Sequence, residues 1–236
     1  MSTTVSLQVR RPQRDRSYGP LGEWFYFSMS LLIAVIVVYG FGQRAEMQLI
    51  HPSHPKPMVM WIHTVVFSAW VLFYIAQSAL VRARNVRLHR TMGRFGVALG
   101  ASLPIVGTIT TIVMRRFDLQ YSDLRKIAPN VAIGLLDLAS FTVPFVLAIC
   151  WRKKPELHRR LMLVATCGLT AAAFVRFPDI FHPWPWYHLG VDLLIALAMA
   201  RDLLVQRRIH AVYLVSLPLL FVAQVAVMST VVRLWR

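Results

Sequence analysis

The chain has 236 residues, of which 57% are hydrophobic and only 15% are charged, and its mean hydropathy is +0.55. Soluble domains carry about 25% charged residues. Here the apolar residues are gathered into long runs, so the composition excludes a soluble globular domain. The formal net charge of +16 is compatible with nucleic-acid binding, but basic residues of a membrane protein mainly set its topology.

Seven apolar runs approach the roughly 20 residues that a helix needs to cross a bilayer core. Backbone groups in lipid must be hydrogen-bonded within their segment, and these runs are too long for barrel strands, so we predict helices. The predicted spans are 24–43, 58–81, 92–114, 129–151, 159–176, 186–206 and 211–233. The predicted fold is an all-α, polytopic membrane protein, with a basic segment at 1–23 and a seven-helix bundle at 24–236.

The basic residues are distributed unequally between the two ends of the predicted bundle. If the N-terminus is cytoplasmic, that side carries 17 of the 26 lysines and arginines. This asymmetry predicts a protein of the bacterial inner (cytoplasmic) membrane with its N-terminus inside and its C-terminus outside. We expect the arginines to lie among anionic headgroups of the inner leaflet. They account for the high charge without a nucleic-acid partner.

Each of the three predicted cytoplasmic turns ends in a histidine with basic neighbours, at the start of the next helix. These histidines are His89, His158 and His210. A motif that recurs at the same place in consecutive helix pairs predicts three helical-hairpin repeats behind a leading helix.

The second, fourth and sixth spans each carry polar and aromatic residues along one helical face. The residues are His63, Phe67, Trp70, Tyr74 and Gln77; Asn130, Gly134, Asp137, Phe141 and Pro144; and His188, Asp192, Ile195, Met199 and Asp202. Polar side chains within spans face protein or a wet cavity. We therefore expect the three faces to converge. In the third span, small residues at helical spacing predict a close-packing face, formed by Gly93, Gly96, Gly100 and Gly107.

One candidate site lies at the outer ends of these faces. It consists of His63, Asp137, His188 and Asp192, with Arg176 as the expected counter-ion of a carboxylate. One interpretation is an ion-paired polar plug that fixes helix register. The other is a cofactor site in which His63 and His188 ligate haem b or a transition-metal ion, since haem iron accepts histidine without covalent attachment.

The second candidate site lies at the inner ends and combines His89, His158 and His210 with Asp202. A histidine in the first turn of a helix faces the positive end of the dipole, which favours the neutral imidazole that a metal requires. Three imidazoles and a carboxylate match the ligands of zinc, iron or copper sites. The alternative is that each histidine caps its turn or contacts a lipid phosphate.

Several function classes are excluded by missing residues. The four lysines all lie in predicted loops, so no Schiff-base lysine is available for retinal. Cys150 and Cys167 form no CxxC or CxxCH motif and are predicted to be small buried residues. The chain has no phosphate-binding GxxxxGK loop, no HExxH and no GxSxG. The polar faces are too sparse for the lining of a pump or channel, although a small transporter stays open.

Several motifs together resemble a family of uncharacterised bacterial integral membrane proteins over about residues 58–225. They are His63 followed by Trp70, Gln77 and Leu80-Val81, then His89-Arg90 with Gly93, and His158-Arg159-Arg160-Leu161-Met162. Arg176, Asp202 and His210 match further family positions, whereas Thr64 stands where the family has glycine. The resemblance implies a seven-helix bundle in a bacterial inner membrane and no particular activity.

The sequence thus leaves two main classes of function open, besides the small transporter. The first is a haem- or metal-binding membrane protein with a redox or metal-handling role, using the two sites above. The second is a non-catalytic membrane scaffold, whose polar residues hold the bundle together or contact a membrane protein partner.

Overall fold

The computed structural model describes residues 20–45, 54–121, 128–177 and 186–235. Within these ranges the chain forms helices and no strand, which confirms the all-α prediction. The helices are α1 (Pro20–Ala45), α2 (Met58–Arg82), α3 (Val86–Tyr121), α4 (Ala128–Cys150), α5 (Pro155–Gly168), α6 (Ala171–Phe174), a 3-10 turn (Trp186–His188), α7 (Leu189–Gln206) and α8 (Ala211–Trp235). Most of the predicted basic segment 1–23 lies outside the described residues.

Five helices in the described ranges are long and apolar enough to cross a membrane. They are α1, α2, α3, α4 and α8. Helix α3 has 36 residues and is about 54 Å long at 1.5 Å per residue. It therefore extends well beyond a hydrocarbon core of about 30 Å. The fold has the character of a multi-pass helical membrane protein.

The predicted spans 159–176 and 186–206 stay predictions. Helix α5 has 14 residues, which is about 21 Å, and a turn after Gly168 separates it from α6. Helix α7 has 18 residues and includes Asp192, Arg201 and Asp202. Both helices nevertheless pack within the bundle, because each has eight buried residues, among 14 in α5 and 18 in α7.

Consecutive helices pack against each other across short turns. Helix α2 packs on α3, α4 on α5, and α7 on α8, while α1 packs on α2 and α4 contacts α8. The turns at 83–85, 151–154 and 207–210 define what we call the short-turn end of the bundle. The N-terminal ends of α2, α4 and α7 define the opposite end. Pairing of neighbouring helices is the arrangement that the hairpin prediction requires.

A group of aromatic rings fills the contact among α2, α3 and α4. Trp70 is 1% exposed and meets Phe141 and Phe145 edge-on, with ring centroids 5.1 and 5.6 Å apart. Leu103 and Ala165 complete this cluster. Edge-to-face pairs of this kind add about 0.5–1.5 kcal/mol beyond area burial. The aromatic positions of the α2 face thus pack in the core, as predicted.

The small residues of α3 provide the close-packing face. A Cβ at Gly96, Gly100 or Gly107 would lie 2.3–2.5 Å from a neighbouring side chain, so any larger residue would force that side chain to move. A Cβ at Gly93 would meet nothing within 4 Å. The prediction is therefore right for three glycines and wrong for Gly93, where a side chain would meet open space.

The polar faces of α2 and α7 are buried as predicted. On α2 the buried residues of this face include Tyr74 and Gln77. Around α7 they are His188, Asp192, Ile195 and Asp202. On α4, Phe141 is fully buried, and the side chain of Asn130 lies outside the described residues. Cys167 is buried, but Cys150 ends α4 and is exposed. The prediction of two buried cysteines is wrong for Cys150.

Candidate functional site

A histidine and a carboxylate from different helices meet toward the opposite end of the bundle. The Nε2–H of His188, in the 3-10 turn before α7, donates a hydrogen bond of 3.1 Å to Oδ1 of Asp137 on α4. His188 is 5% exposed, and its other ring nitrogen, Nδ1, is buried without a hydrogen-bond partner. With Nε2 donating to the carboxylate, the lone pair of the neutral imidazole lies on Nδ1.

A second carboxylate lies one helical turn after this histidine. Asp192 is buried on α7, and its Oδ1 accepts a 3.2 Å hydrogen bond from the side-chain amide of Gln224 on α8. Its Oδ2 is buried and has no hydrogen-bond partner. Burying an unpartnered acceptor costs about 1–3 kcal/mol. Asp192 Oδ2 and His188 Nδ1 are therefore two acceptors available to a ligand.

His188 and Asp192 line a cleft of about 370 Å³ between α7 and α8, which we call the opposite-end cleft. Its walls include Trp186, His188, Leu189, Asp192, Phe221 and Gln224. Small-molecule sites are typically apolar clefts of about 300–1,000 Å³ with a few convergent polar groups. The opposite-end cleft fits this description at the lower end of the size range.

His63 and Arg176, the other two residues of the predicted outer site, lie at the same end of the bundle. The ring of His63 stacks on Phe67 with centroids 3.9 Å apart, and its Nδ1 is buried without a partner. Arg176 donates a hydrogen bond to the carbonyl of Ala172 and lies over the ring of Phe41. The structure thus brings Asp137 and His188 into direct contact. His63 lies on another helix, α2, which packs on α1 and α3.

A buried arginine organises the short-turn end. Arg160 is fully buried, and its Nε and Nη2 donate to the two carboxylate oxygens of Asp202 at 2.8 and 3.0 Å. Its Nη1 donates to the backbone carbonyl and the carboxylate of Glu156, and Nη2 also donates to Gln206. These five hydrogen bonds match the five N–H groups of a guanidinium. Every donor of Arg160 is therefore satisfied.

A second arginine ties this network to α1. Arg201 donates to Oδ1 of Asp202 at 2.9 Å and to the backbone carbonyl of Gly22 at 3.2 Å. Its guanidinium lies 5.7 Å from the ring centroid of Phe25. Both oxygens of Asp202 are therefore occupied by guanidinium groups. The carboxylate proposed for the inner metal site serves as the common acceptor for Arg160 and Arg201.

Sequence reasoning assigned Arg160 and Arg201 to topology and missed their role in this network. Two signals were available in the sequence. Glu156 and Arg160 are four residues apart on one helix, which is the spacing of an intrahelical ion pair. Arg201 and Asp202 are opposite charges side by side in a largely apolar run, and charges in such runs are normally paired.

Glu156 is the exposed edge of the network, because 53% of its side chain is accessible. Burial alone raises the pKa of this carboxyl, but the hydrogen bond from Arg160 and the charges of Arg159 and Arg160 outweigh it. The pKa of Glu156 therefore lies below its usual value. The carboxylate remains charged and paired at neutral pH.

The three histidines at the short-turn end have different contacts. His210 caps α8, because its Nδ1 accepts a 3.2 Å hydrogen bond from the backbone N–H of Val212. Burial and the nearby charge of Arg160 lower the pKa of His210. His89 and His158 instead approach each other, with ring centroids 6.5 Å apart. Among the described residues, no group of three or more His, Cys, Asp or Glu side chains is arranged to hold a metal ion.

The fold and these sites define a multi-pass helical membrane protein with a largely apolar cleft, holding a few polar groups, at one end and a buried ion network at the other. No family model matches the chain, and neither a curated protein nor a solved structure matches it significantly. The resemblance drawn from its motifs stays a prediction.

Proposed function

We propose that this protein binds a transition-metal ion in the opposite-end cleft and has a metal-handling role in the membrane. The observation that supports the proposal is the arrangement Asp137–His188 beside Asp192. One imidazole nitrogen is held by a carboxylate, while the other nitrogen and a second carboxylate oxygen lack partners. Metal-bound histidines typically donate their other N–H to a carboxylate in this way.

In this proposal His188 Nδ1 and Asp192 Oδ2 are the protein ligands, and Asp137 orients the imidazole. Gln224 positions Asp192 through its amide. Imidazole and carboxylate together suit zinc, iron or copper. With two protein ligands, water or a substrate group completes the coordination shell, as in sites that exchange their ions or act on a bound molecule.

Haem b is the variant of this proposal in which His63 supplies a second imidazole. Its support is the buried, unpartnered Nδ1 of His63 at the same end of the bundle. A visible spectrum separates the two variants. A Soret band that disappears in His63→Ala and in His188→Ala supports haem, and a colourless protein with bound metal supports the ion.

The test uses the full chain purified in detergent, with elemental analysis followed by a Zn²⁺ titration. His188→Ala and Asp192→Asn are expected to abolish binding in the opposite-end cleft. His54→Ala removes an exposed histidine from the same end and should bind as the unaltered protein does. Metal-free protein that takes up no Zn²⁺, or unchanged binding in both cleft variants, contradicts the proposal.

The second candidate function is a non-catalytic membrane scaffold or partner-binding subunit. The observation that favours it is the complete hydrogen bonding of Arg160, because a buried guanidinium with no free donor stabilises a bundle without needing a ligand. A colourless, metal-free protein that stays folded and monodisperse is the result that supports this candidate.

For orientation, we propose that the short-turn end faces the cytoplasm of a bacterial inner membrane, where its exposed arginines contact anionic lipids. The arginines of the turns, including Arg84, Arg87 and Arg207, are exposed, and an excess of such residues is typical of cytoplasmic loops. Alkaline phosphatase fused to the C-terminus should be active, because that end would lie outside. An inactive fusion contradicts the orientation.

A further inference from the structure

Two histidines from different hairpins meet at the short-turn end, away from the opposite-end cleft. His89 and His158 are each the fourth residue of their helices, α3 and α5. Their rings lie 6.5 Å apart between centroids and are inclined at 72°. Both side chains are half-buried. The equal position in the two helices brings the imidazoles to the same depth.

Each ring of this pair has a nitrogen that could bind a ligand. The Nδ1–H of His158 donates to the backbone carbonyl of Ala148 at 2.9 Å. The lone pair of the neutral His158 ring therefore lies on Nε2. The Nδ1 of His89 is buried and has no hydrogen-bond partner. A histidine fixed by a backbone carbonyl through one nitrogen has the usual arrangement of a metal ligand.

We propose that His89 and His158 form a two-imidazole site for a transition-metal ion at the short-turn end. With a metal–nitrogen distance of about 2.0 Å, the centroid of a ligating ring lies about 3.2 Å from the ion. Two rings sharing an ion are then at most about 6.4 Å apart, in a wide-angle arrangement. The observed 6.5 Å lies just beyond that linear limit, and the tetrahedral angle of zinc sites needs about 5.2 Å. Binding therefore requires the two rings to approach each other by about 1.3 Å.

The third histidine is excluded from this site by its helix register. His210 immediately precedes α8, so it lies four residues earlier in its helix than His89 and His158 do in theirs. Four residues correspond to about 6 Å along a helix axis. Its Nδ1 is also occupied by the backbone of Val212. The sequence motif recurs three times, but α8 begins one residue after its histidine, whereas α3 and α5 begin three residues before theirs.

The surroundings of the pair indicate what completes the coordination shell. Arg90 follows His89 directly, and Arg159 follows His158 and is paired with Glu156 at 2.5 Å. A cationic environment opposes a bare divalent ion. The site is therefore expected to favour an ion that also holds an anionic ligand, for which the arginines are counter-ions.

The experiment is a Zn²⁺ titration of the full chain in detergent, with bound metal counted per chain. His89→Gln and His158→Gln are each expected to weaken binding at this site by about tenfold or more, and His188→Ala should leave it unchanged. The matched control is His210→Asn, because asparagine preserves the helix cap. Loss of Zn²⁺ binding in His210→Asn would indicate a three-histidine site and overturn the proposal.

A second measurement uses only the unaltered protein, so it does not depend on whether a variant folds. In the unaltered protein, Zn²⁺ should protect His89 and His158 together from diethyl pyrocarbonate, as read by mass spectrometry, while His54 continues to react. Unprotected rings at saturating Zn²⁺ contradict the two-imidazole site. Because His188 is read in the same experiment, failure of the opposite-end cleft and failure of this pair are distinguished.

Discussion

Arg160 and Asp202 are joined by two hydrogen bonds, at 2.8 and 3.0 Å, although they lie 42 residues apart and neither is exposed. The pair connects α5 to α7 and, through Arg201, to α1. Burying an ion pair gains little free energy over well-packed apolar residues, but such a pair can specify which helices meet. We infer that it fixes the register of α5 against α7.

Asp202→Ala is expected to destabilise the protein by about 3–5 kcal/mol, because it leaves two buried guanidinium groups without their carboxylate. Glu156→Gln serves as the control within the same network, since the side chain of Glu156 is half exposed and exposed pairs contribute about 0–1 kcal/mol. Thermal unfolding in detergent measures both. Equal midpoints for the two variants would show that the buried pair has no special role.

The cap formed by His210 predicts a pH dependence of stability. Its folded pKa lies below the ordinary value of 6.5, so the unfolded chain binds a proton there first as the pH falls. The stability contributed by the neutral ring is present above about pH 7 and is lost as the pH falls from 6.5 toward the folded pKa. Once protonated, the Nδ1 of His210 can no longer accept the hydrogen bond from the backbone N–H of Val212.

His210→Asn is expected to reduce the loss of thermal stability between pH 7 and pH 5, because asparagine caps a helix without titrating in this range. The comparison is made against the unaltered protein in the same detergent. An identical pH profile for both proteins would mean that other groups account for the dependence.

A backbone contact between α1 and α6 predicts unequal effects of two similar substitutions. A Cβ at Gly40 would lie 2.5 Å from the carbonyl oxygen of Ala173, whereas a Cβ at Gly42 would meet nothing within 4 Å. Gly40→Ala should therefore destabilise the bundle. Gly42→Ala should be neutral or stabilising by up to about 1 kcal/mol, because alanine favours a helix over glycine. Unfolding midpoints in the reverse order would rule out this contact.

The hydrogen bond from His188 to Asp137 predicts a graded effect on metal affinity. Asp137→Asn removes the charge that orients the imidazole and should weaken Zn²⁺ binding in the opposite-end cleft by about 10–100-fold, with the stoichiometry at saturation unchanged. Asp118→Asn alters a carboxylate in the last turn of α3 and is the control. Complete loss of the ion in Asp137→Asn would make this carboxylate a direct ligand instead.

Much of the fold could be predicted from the chain because apolar runs and short turns are local properties. The ends of α2 and α8 agree with the predicted spans to within a few residues, and the face with Trp70 and Gln77 is buried as expected. The break after Gly168 was missed, since a turn between two buried segments leaves the hydropathy nearly unchanged. The predicted single span there corresponds to two helices.

The sequence by itself determined that the protein is helical, apolar enough for a membrane, and polar along particular helix faces, because those features follow from composition and a 3.6-residue period. Only the tertiary structure decided the partners. Asp202 could pair with a histidine or an arginine, and the packing of α5 on α7 placed it between Arg160 and Arg201. Likewise, three similar histidine motifs separated into a pair and a cap, because a side chain's position depends on where its helix begins.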